Sequence, residues 1–260
     1  MMKVVAVIPS HLASIRFPRK ILFPIHGIPM IEHVRRRALL CKGIAAVYVA
    51  TCDEEIRQAV DSCGGKVILT SDKHLNGTNR VAEAISGIDC THVILLQGDE
   101  PLLLPDHVER MVAAMRNDGN AVAWNVTGPI EDRAELDRHS FVKCAVAADD
   151  RIAFCFRRSP CFSSYETQRH FVRKILGIIG YRKDFLKKLV SLPVSNMEAA
   201  ESIEQMRIVE SGHLLRSVPV EQSLPSVNEP HEMEFVLSHL EKDREQAKLL
   251  ERILPAGKER

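Results

Sequence analysis

The sequence predicts an α/β fold with a doubly wound, mostly parallel sheet and a smaller antiparallel part inserted into it. In the first half of the chain, short apolar runs alternate with helical patterns, which is typical of parallel β-α-β units. From about residue 130 to residue 180, strand-like runs follow one another without full helices between them. We therefore expect one domain over residues 1–260, with an insertion at about 130–180 that carries a sugar pocket or a dimer contact.

The boundaries of the first elements follow from turn and cap residues. Pro29 suits a first helical turn, Asp53 can cap the second helix, and that helix stops at Gly64. The predicted elements of this half are strand 4–8, helix 29–40, strand 46–51, helix 54–63, strand 66–70, a short helix to about 85, strand 93–97, helix 105–116 and strand 121–126.

The second half is predicted to begin with strands and to end with helices. Its predicted elements are strands 142–148, 152–156 and 176–179, helix 198–210, strand 214–218 and a charged amphipathic helix from 232 to about 253. No internal repeat or low-complexity segment interrupts this order.

Composition excludes several classes of function. A net charge of +1 and 5% aromatic residues provide neither a basic field nor a stacking platform for nucleic acid. No uncharged run approaches the roughly 18 residues that a membrane helix needs, and the apolar run after Lys3 is too short for a signal peptide. Seven cysteines without a Cys-x-x-Cys motif are unlike a secreted disulfide framework, so a cytoplasmic protein without membrane insertion is expected.

Two cationic residues on the loop after the first strand are candidates for ligand binding. Arg16 and Lys20 lie four residues apart on a loop that leaves the carboxyl end of strand 4–8, where open α/β sheets bind their ligands. Neither the Walker P-loop pattern nor Gly-x-Gly-x-x-Gly occurs in the chain. On this evidence alone, the two cations fit either a site for an anionic ligand or an ordinary solvated loop.

A carboxylate follows another buried strand at the same edge of the predicted sheet. Asp99 lies in the segment Gln-Gly-Asp-Glu-Pro at 97–101, directly after strand 93–97. A carboxylate there can hold Mg²⁺ where the ion also meets a nucleotide phosphate. The alternative is an ordinary turn, since Asp and Pro are common turn residues.

Residues 8–20 resemble the start of the sugar-acid cytidylyltransferases, above all the 3-deoxy-manno-octulosonate (Kdo) cytidylyltransferases. The pattern of that family is Ile-Pro-Ala-Arg-x-x-Ser-x-Arg-Phe/Leu-Pro-Gly-Lys-Pro-Leu, and the matching residues here are Ser14, Arg16, Phe17, Pro18, Lys20 and Leu22. Segment 97–101 matches the family's Gln-Gly-Asp-Glu-Pro completely, and similar motifs extend to about residue 235. The resemblance implies a Rossmann-like sheet of the nucleotide-diphospho-sugar transferase type.

The resemblance also implies roles for particular residues. Arg16 and Lys20 would hold a triphosphate and stabilise the leaving pyrophosphate, and Asp99 would bind Mg²⁺, so these three are the expected catalytic residues. The expected nucleotide-binding residues are Ser10, His11, Ser14, Gly77, Thr78 and Arg80. The expected sugar-binding residues are Gln97, Tyr181, Glu204 and Gln205, and the expected metal ligands are Asp99 and Asn228.

Some of these motifs also have simpler interpretations. In 76–80, Asn-Gly is a common turn and Thr78 a helix cap, although the segment resembles the family's Ser-Gly-Thr-Glu/Asp-Arg loop beside the cytidine. Glu201, Glu204 and Gln205 would share one face of helix 198–210, where the spacing alone indicates a solvated helix face.

The chain departs from the family at four expected site positions. His11 replaces an Arg, Asn79 an acidic residue, Ile175 a sugar-binding His, and Asn228 a metal-binding Asp. Arg19, which stands at a glycine position, can replace the cation lost at His11, and Glu229 can replace the missing carboxylate.

The resemblance implies a cytoplasmic, homodimeric, Mg²⁺-dependent enzyme that transfers CMP from CTP to Kdo for lipopolysaccharide synthesis. Two alternatives remain open at the level of sequence. One is a cytidylyltransferase for another acidic sugar such as 8-amino-Kdo, because the His position of the sugar pocket is occupied by Ile175. The other is a non-catalytic nucleotide-binding paralogue, because His11 and Asn228 alter the site.

Overall fold

A computed structural model describes residues 1–74, 76–161 and 163–254, and the contacts within it divide the chain into two compact units. The first unit contains Lys3–Asp89, Leu95–Glu109 and the residues from Leu224 onward. The second contains Met1–Met2, Cys90–Ile94 and Arg110–Ser223. The single domain with an insertion at about 130–180 stays a prediction.

Strands and helices alternate along the first half of the chain, as predicted. The strands and α-helices in chain order are β1 Val4–Ser10, β2 Pro24–Ile25, β3 Ile28–Pro29, α1 Met30–Leu39, β4 Ile44–Thr51, α2 Glu54–Ser62, β5 Val67–Leu69, α3 Gly77–Ala84, β6 His92–Leu96, α4 Pro105–Asn117, β7 Ala123–Gly128, β8 Lys143–Val146, β9 Ile152–Phe156, α5 Tyr165–Gln168, β10 Val172–Arg182, α6 Lys183–Leu189, α7 Asn196–Glu201, α8 Gln205–Glu210, β11 Leu215–Pro219, α9 Met233–Lys242 and α10 Arg244–Ile253. Short 3-10 helices cover Lys20–Leu22, Arg133–Leu136 and Pro230–Glu232.

The first unit is built on parallel strands. Three of its strands are neighbours in the order β1, β4 and β5, and β4 pairs in parallel with both β1 and β5. Ser10 is the register partner of Thr51, and Thr51 is that of Leu69, so the carboxyl ends of β1, β4 and β5 are level. Val4–Ile8 is buried, which is why this run is apolar at every position rather than at alternate ones.

The second unit contains the antiparallel part. β7 pairs in parallel with β11 and antiparallel with β10, β10 pairs antiparallel with β8, and β8 pairs antiparallel with β9. Of the residues described between β8 and β10, only the four of α5 are helical. The predicted α/β fold class with a mostly parallel sheet and a smaller antiparallel part is confirmed.

Both helices predicted in the last third are broken, so the continuous helices expected there were wrong. Helix 198–210 is interrupted at Ser202, whose φ is 54°, and Arg157 donates to the backbone oxygens of Glu201 and Ser202 at 2.8 and 3.2 Å. Glu201 therefore ends α7 while Glu204 precedes α8, and the two do not share one helix face.

The helix expected over 232–253 ends at Lys242 and begins again after Asp243. Asp243 is extended, and its carboxylate accepts from the backbone N–H groups of Glu245 and Gln246 at 2.8 and 2.9 Å. This N-cap starts α10 as a separate helix. None of the helices in the described ranges is long and apolar enough to span a membrane.

Candidate functional site

The first unit has a cavity of about 550 Å³ at the carboxyl ends of its strands. The end of β1 and the loop that follows contribute Ser10, His11, Ser14 and Lys20 to its lining. The turn after β6 contributes Gln97, Gly98 and Asp99. Two segments that are about 80 residues apart in sequence, and that match the family most closely, therefore line the same cavity.

Lys20 and Asp99 form an ion pair in this cavity. Lys20 Nζ lies 2.5 Å from Asp99 Oδ2 and also donates to the carbonyl oxygen of Val227 at 2.8 Å. The Lys20 side chain is 12% exposed and that of Asp99 is 23% exposed. The charges are thus partly desolvated, which strengthens their attraction to each other and to any ionic ligand.

Arg16 and Asn228 meet beside this pair. Arg16 Nη2 donates to Asn228 Oδ1 at 3.3 Å, and Arg16 Nη1 lies 3.8 Å from Glu229 Oε1. Neither Arg16 nor Asn228 is among the described residues that line the cavity. Because Lys20 donates to the Val227 carbonyl, Arg16 and Lys20 both contact the segment 227–229.

The loop is held by a residue expected to have another role. Asp53 was expected to cap α2, but its side chain makes no cap hydrogen bond there. Instead, Asp53 Oδ2 accepts from the backbone N–H of Leu12 at 2.9 Å, so the carboxylate fixes the loop rather than the helix. Arg19 pairs with Glu55 and is not one of the described cavity-lining residues, which does not support it as a substitute for the missing cation.

The start of α3 forms another wall, to which Gly77 and Arg80 contribute. Asn76 caps the helix, accepting from the N–H of Asn79 at 2.9 Å, so the interpretation of Thr78 as the cap was wrong. A Cβ on Gly77 would lie 3.0 Å from Pro9 Cγ, so the helix begins in close contact with β1. Arg80 donates to Thr70 Oγ1 at 2.6 Å and to the Ser71 carbonyl at 3.2 Å, which fixes the chain after β5.

Sequence reasoning missed three further residues that line the cavity: Cys52, Asp72 and His74. All three follow β4 or β5, and their place after strands of the same sheet was the signal that could have found them. His74 hydrogen-bonds to Glu83 and, together with the N–H of Ser71, lowers the pKa of that carboxyl. This contact ties the chain after β5 to α3.

The remaining sugar-binding candidates lie in the second unit. Gln205 Nε2 donates to Asn125 Oδ1 at 3.0 Å, and Asn125 Nδ2 donates to the carbonyl of Leu176 at 2.8 Å. Tyr181 is buried, and Glu204 lies close enough to Arg207 to help raise the pKa of that guanidinium, together with Tyr181 and a stronger contribution from Glu198. Tyr181 and Glu204 therefore both lie near Arg207, while Gln205 contacts Asn125.

The residues expected to bind Mg²⁺ have suitable chemistry. Asp99 and Asn228 offer a carboxylate and an amide oxygen, and each accepts from a cation. Within the described part of the chain, no three His, Cys, Asp or Glu side chains converge into a metal site. Magnesium commonly binds through one or two protein oxygens, with water and substrate phosphates completing its octahedron. Asp99, with Asn228, fits this mode of binding.

Comparison with known proteins agrees with these motifs. A family model described as cytidylyltransferase matches residues 5–218. An 8-amino-3,8-dideoxy-manno-octulosonate cytidylyltransferase of Shewanella amazonensis is 38% identical over 93% of this chain and 100% of its own length. The enzyme of the same name from Shewanella frigidimarina is 39% identical over 89% of this chain and 96% of its own length.

Solved structures agree as well. A CMP:2-keto-3-deoxy-manno-octonic acid synthetase complexed with CTP is 36% identical, with a TM-score of 0.87 over 93% of this chain and 99% of that chain. A cytidylyltransferase from Leptospira borgpetersenii, 17% identical with a TM-score of 0.66 over 97% of this chain and 94% of that chain, supports the fold alone. The chain therefore belongs to the cytidylyltransferase family, among the enzymes of the Kdo cytidylyltransferase type, and is a nucleotidyltransferase.

Proposed function

We propose that this enzyme transfers CMP from CTP to a 3-deoxy-2-ulosonic acid of the Kdo type, with Mg²⁺, and releases pyrophosphate. The observation that carries the proposal is the Lys20–Asp99 pair in the cavity lined by both family motifs. Among the acceptors, 8-amino-3,8-dideoxy-manno-octulosonate is favoured, because two relatives that match nearly the whole chain bear that name.

The reaction needs positioning and charge stabilisation rather than a protein nucleophile. The anomeric hydroxyl of the sugar attacks the α-phosphorus and forms a new P–O bond. The bond from the α-phosphorus to the bridging oxygen breaks, its electron pair leaves with pyrophosphate, and the hydroxyl proton passes to water. Lys20 and Arg16 carry the positive charge that offsets the charge developing on pyrophosphate. When bound, Mg²⁺ would neutralise charge on the phosphate oxygens and orient them for displacement.

The ion pairs of the free protein indicate how the site accepts its substrate. Lys20 is neutralised by Asp99, and Arg16 contacts Asn228 and Glu229. A triphosphate carries more negative charge than either partner and competes for both cations. With Lys20 turned to the phosphates, Asp99 would have a free carboxylate oxygen that could hold the metal.

The two candidate acceptors differ by one positive charge, and the residues near the sugar can favour one of them through that charge. The 8-amino sugar carries an ammonium group where Kdo has a hydroxyl, and the region around Tyr181 includes the carboxylate of Glu204. A carboxylate favours the cationic acceptor by Coulomb attraction. Ile175 also replaces a histidine of the family's sugar pocket, which is consistent with an acceptor other than Kdo itself.

Pyrophosphate release from CTP and Mg²⁺ tests the proposal. The assay compares 8-amino-Kdo, Kdo and a control without sugar. We expect release that depends on the sugar and on Mg²⁺, with the higher kcat/KM for 8-amino-Kdo. A higher kcat/KM for Kdo would contradict the choice of acceptor, and no release with either sugar would contradict the proposed reaction.

The biological setting is part of the same proposal. We place the enzyme in the cytoplasm, in lipopolysaccharide synthesis, as a homodimer whose subunit contact involves residues from about 130 to 180. Sedimentation of the purified protein tests the dimer, with twice the 29.2 kDa chain mass expected. A single chain at micromolar concentration would contradict it.

A further inference from the structure

Asp53 is a carboxylate in the wall of the cavity to which the proposed reaction gives no role. It follows β4 and lines the cavity, where an ionised carboxylate repels a triphosphate that binds beside it. Its Oδ2 accepts from the backbone N–H of Leu12 at 2.9 Å, across 41 residues of sequence. A carboxylate in this place is explained if its hydrogen bond to the loop contributes more to the reaction than its repulsion costs.

The loop that this hydrogen bond reaches has little regular structure of its own. Residues 11–19, all within the described range 1–74, form neither a helix nor a strand. The carbonyl of Leu12 accepts from the N–H groups of Ser14 and Arg19 at 2.9 and 3.3 Å. Leu12 thus joins the two ends of the segment that carries the first cation, and the second cation follows Arg19 directly. Fixing Leu12 therefore fixes the backbone from which both cationic side chains extend.

Asp53 is itself held by regular secondary structure. Its N–H donates to Thr51 Oγ1 at 3.0 Å, and its carbonyl accepts from the N–H of Arg57 in α2 at 3.1 Å. Thr51 is buried and is the register partner of the last residue of β1. One side chain therefore ties the loop to the junction of β4 and α2.

A second contact from this junction reaches the other end of the loop. Glu55, in the first turn of α2, forms an ion pair with Arg19. The two side chains are 46% and 59% exposed, and exposed ion pairs of this kind contribute little. The Asp53 hydrogen bond, which is partly buried, is therefore the stronger of the two attachments.

We propose that Asp53 is a positioning residue, whose hydrogen bond to Leu12 holds the loop so that Arg16 and Lys20 face the phosphates of CTP. This inference rests on the proposed function, and in it Asp53 acts through the two cations rather than by touching the substrate. Cations that are in place before charge develops on pyrophosphate need no reorganisation during the reaction. A fixed loop therefore stabilises the leaving group more than a free loop does.

Asp53→Ser removes this hydrogen bond and keeps the start of α2. The Asp53 side chain makes no cap hydrogen bond there, and serine is a favourable residue at a helix start, so the thermal midpoint should stay nearly unchanged. The misplaced cations should raise the inhibition constant of pyrophosphate about tenfold and lower kcat/KM for CTP by a similar factor. The KM for the acceptor sugar should stay unchanged. An unchanged inhibition constant for pyrophosphate would overturn the inference.

Asp53→Asn separates the hydrogen bond from the charge. The amide oxygen of asparagine can still accept from the Leu12 N–H, whereas it cannot replace a carboxylate that acts through its charge. We expect this variant to keep kcat/KM within about threefold of the wild-type value. Equal losses in the asparagine and serine variants would show that the charge is needed, which contradicts a positioning role through this hydrogen bond.

Glu109→Ala is the matched control. Like Asp53, Glu109 is partly buried and belongs to the first unit, and its Oε1 accepts from the backbone N–H of Lys42 at 2.9 Å, 67 residues away in sequence. It is not among the described residues that line the cavity. Its removal should leave the inhibition constant of pyrophosphate unchanged. A rise equal to that of Asp53→Ser would mean that any lost anchor weakens the site, and the specific role of Asp53 would fail.

A double-mutant cycle tests whether Asp53 acts through Lys20. Added to Lys20→Met, Asp53→Ser should lower kcat/KM by no more than about threefold, because one cation that the loop positions is already absent. Losses that multiply fully would show that Asp53 acts independently of Lys20 and would refute the inference. If the wild-type enzyme fails to use CTP, the proposed function fails, whereas an active wild type with an equally active Asp53→Ser variant refutes the positioning role alone.

Discussion

Two lysine–carboxylate pairs of this protein have similar geometry but different surroundings. Lys20 and Asp99 are 12% and 23% exposed and line a cavity of about 550 Å³. In the second unit, Lys174 Nζ lies 2.8 Å from Glu135 Oε1, and the two side chains are 8% and 12% exposed. Neither Lys174 nor Glu135 is among the described residues that line the cavity.

The difference shows that an ion pair alone does not indicate a site. Both pairs gain Coulomb energy and lose hydration, and breaking either pair leaves a poorly solvated charge. Only the Lys20–Asp99 pair lies where a ligand can enter and replace one partner with its own charge. The first pair should therefore matter for catalysis and the second for stability.

Among the variants that test this comparison, Asp99→Asn should cause the largest loss of activity. The substitution keeps the shape of the side chain but removes the charge that pairs with Lys20 and that is expected to bind Mg²⁺. We expect kcat/KM to fall about 10³-fold, measured by pyrophosphate release. Asp118→Asn is the control, since Asp118 is 24% exposed and lies 2.6 Å from Arg216 Nε, and does not line the cavity. Equal activity losses in the two variants would contradict the special role of Asp99.

Lys20→Met should have the next largest effect. We expect kcat/KM to fall about 10²-fold, because the substitution removes the cation that we propose stabilises the leaving pyrophosphate. Lys174→Met is the paired variant and should lower the free energy of unfolding by about 3 kcal/mol, because Glu135 remains buried without its cation. Its KM for CTP should stay unchanged. The opposite pattern, with the Lys174 variant weak in CTP binding, would reverse the assignment of the two pairs.

Gln205→Ala should have smaller effects, one on stability and one on binding of the acceptor sugar. The buried Asn125 Oδ1 would lose its donor, which is expected to cost about 1–3 kcal/mol of stability. Because Gln205 is proposed to contact the sugar, its replacement should also raise the KM for the acceptor about tenfold while leaving the KM for CTP unchanged. Unfolding by urea and steady-state kinetics measure the two effects. A loss of stability without a change in acceptor KM would make Gln205 structural only.

The strands of the first unit were predictable because their apolar runs are short and end in polar or turn residues. Gly64 has a φ of 70°, so the helix end assigned to it is confirmed and depends on a local conformation that glycine favours. The break at Asp243 also had a local signal, because Asp followed three residues later by Gln is a helix-start pattern. The long amphipathic pattern over 232–253 obscured it.

The break at Ser202 could not be predicted from local sequence. It depends on Arg157, which lies about 45 residues earlier and donates to the carbonyls at the end of α7. The role of Asp53 is similar, since its partner Leu12 is 41 residues away. Such contacts follow from the tertiary fold, and neither spacing nor propensity encodes them.

The candidate site was predictable where the motifs are strong. The sequence analysis predicted that Lys20 and Asp99 follow two strands of the sheet, and in the structure Lys20 Nζ lies 2.5 Å from Asp99 Oδ2. The pairing of Arg19 with Glu55, neither of which is among the described residues that line the cavity, needed the folded chain, because the partner of a side chain is a property of packing rather than of sequence.

The most direct test of the central claim is a crystal structure of the enzyme with CTP and Mg²⁺. We predict the triphosphate within hydrogen-bonding distance of Lys20 Nζ and a cation on Asp99. CTP bound outside this cavity, or bound within it while the Lys20–Asp99 pair stays intact, would contradict the account.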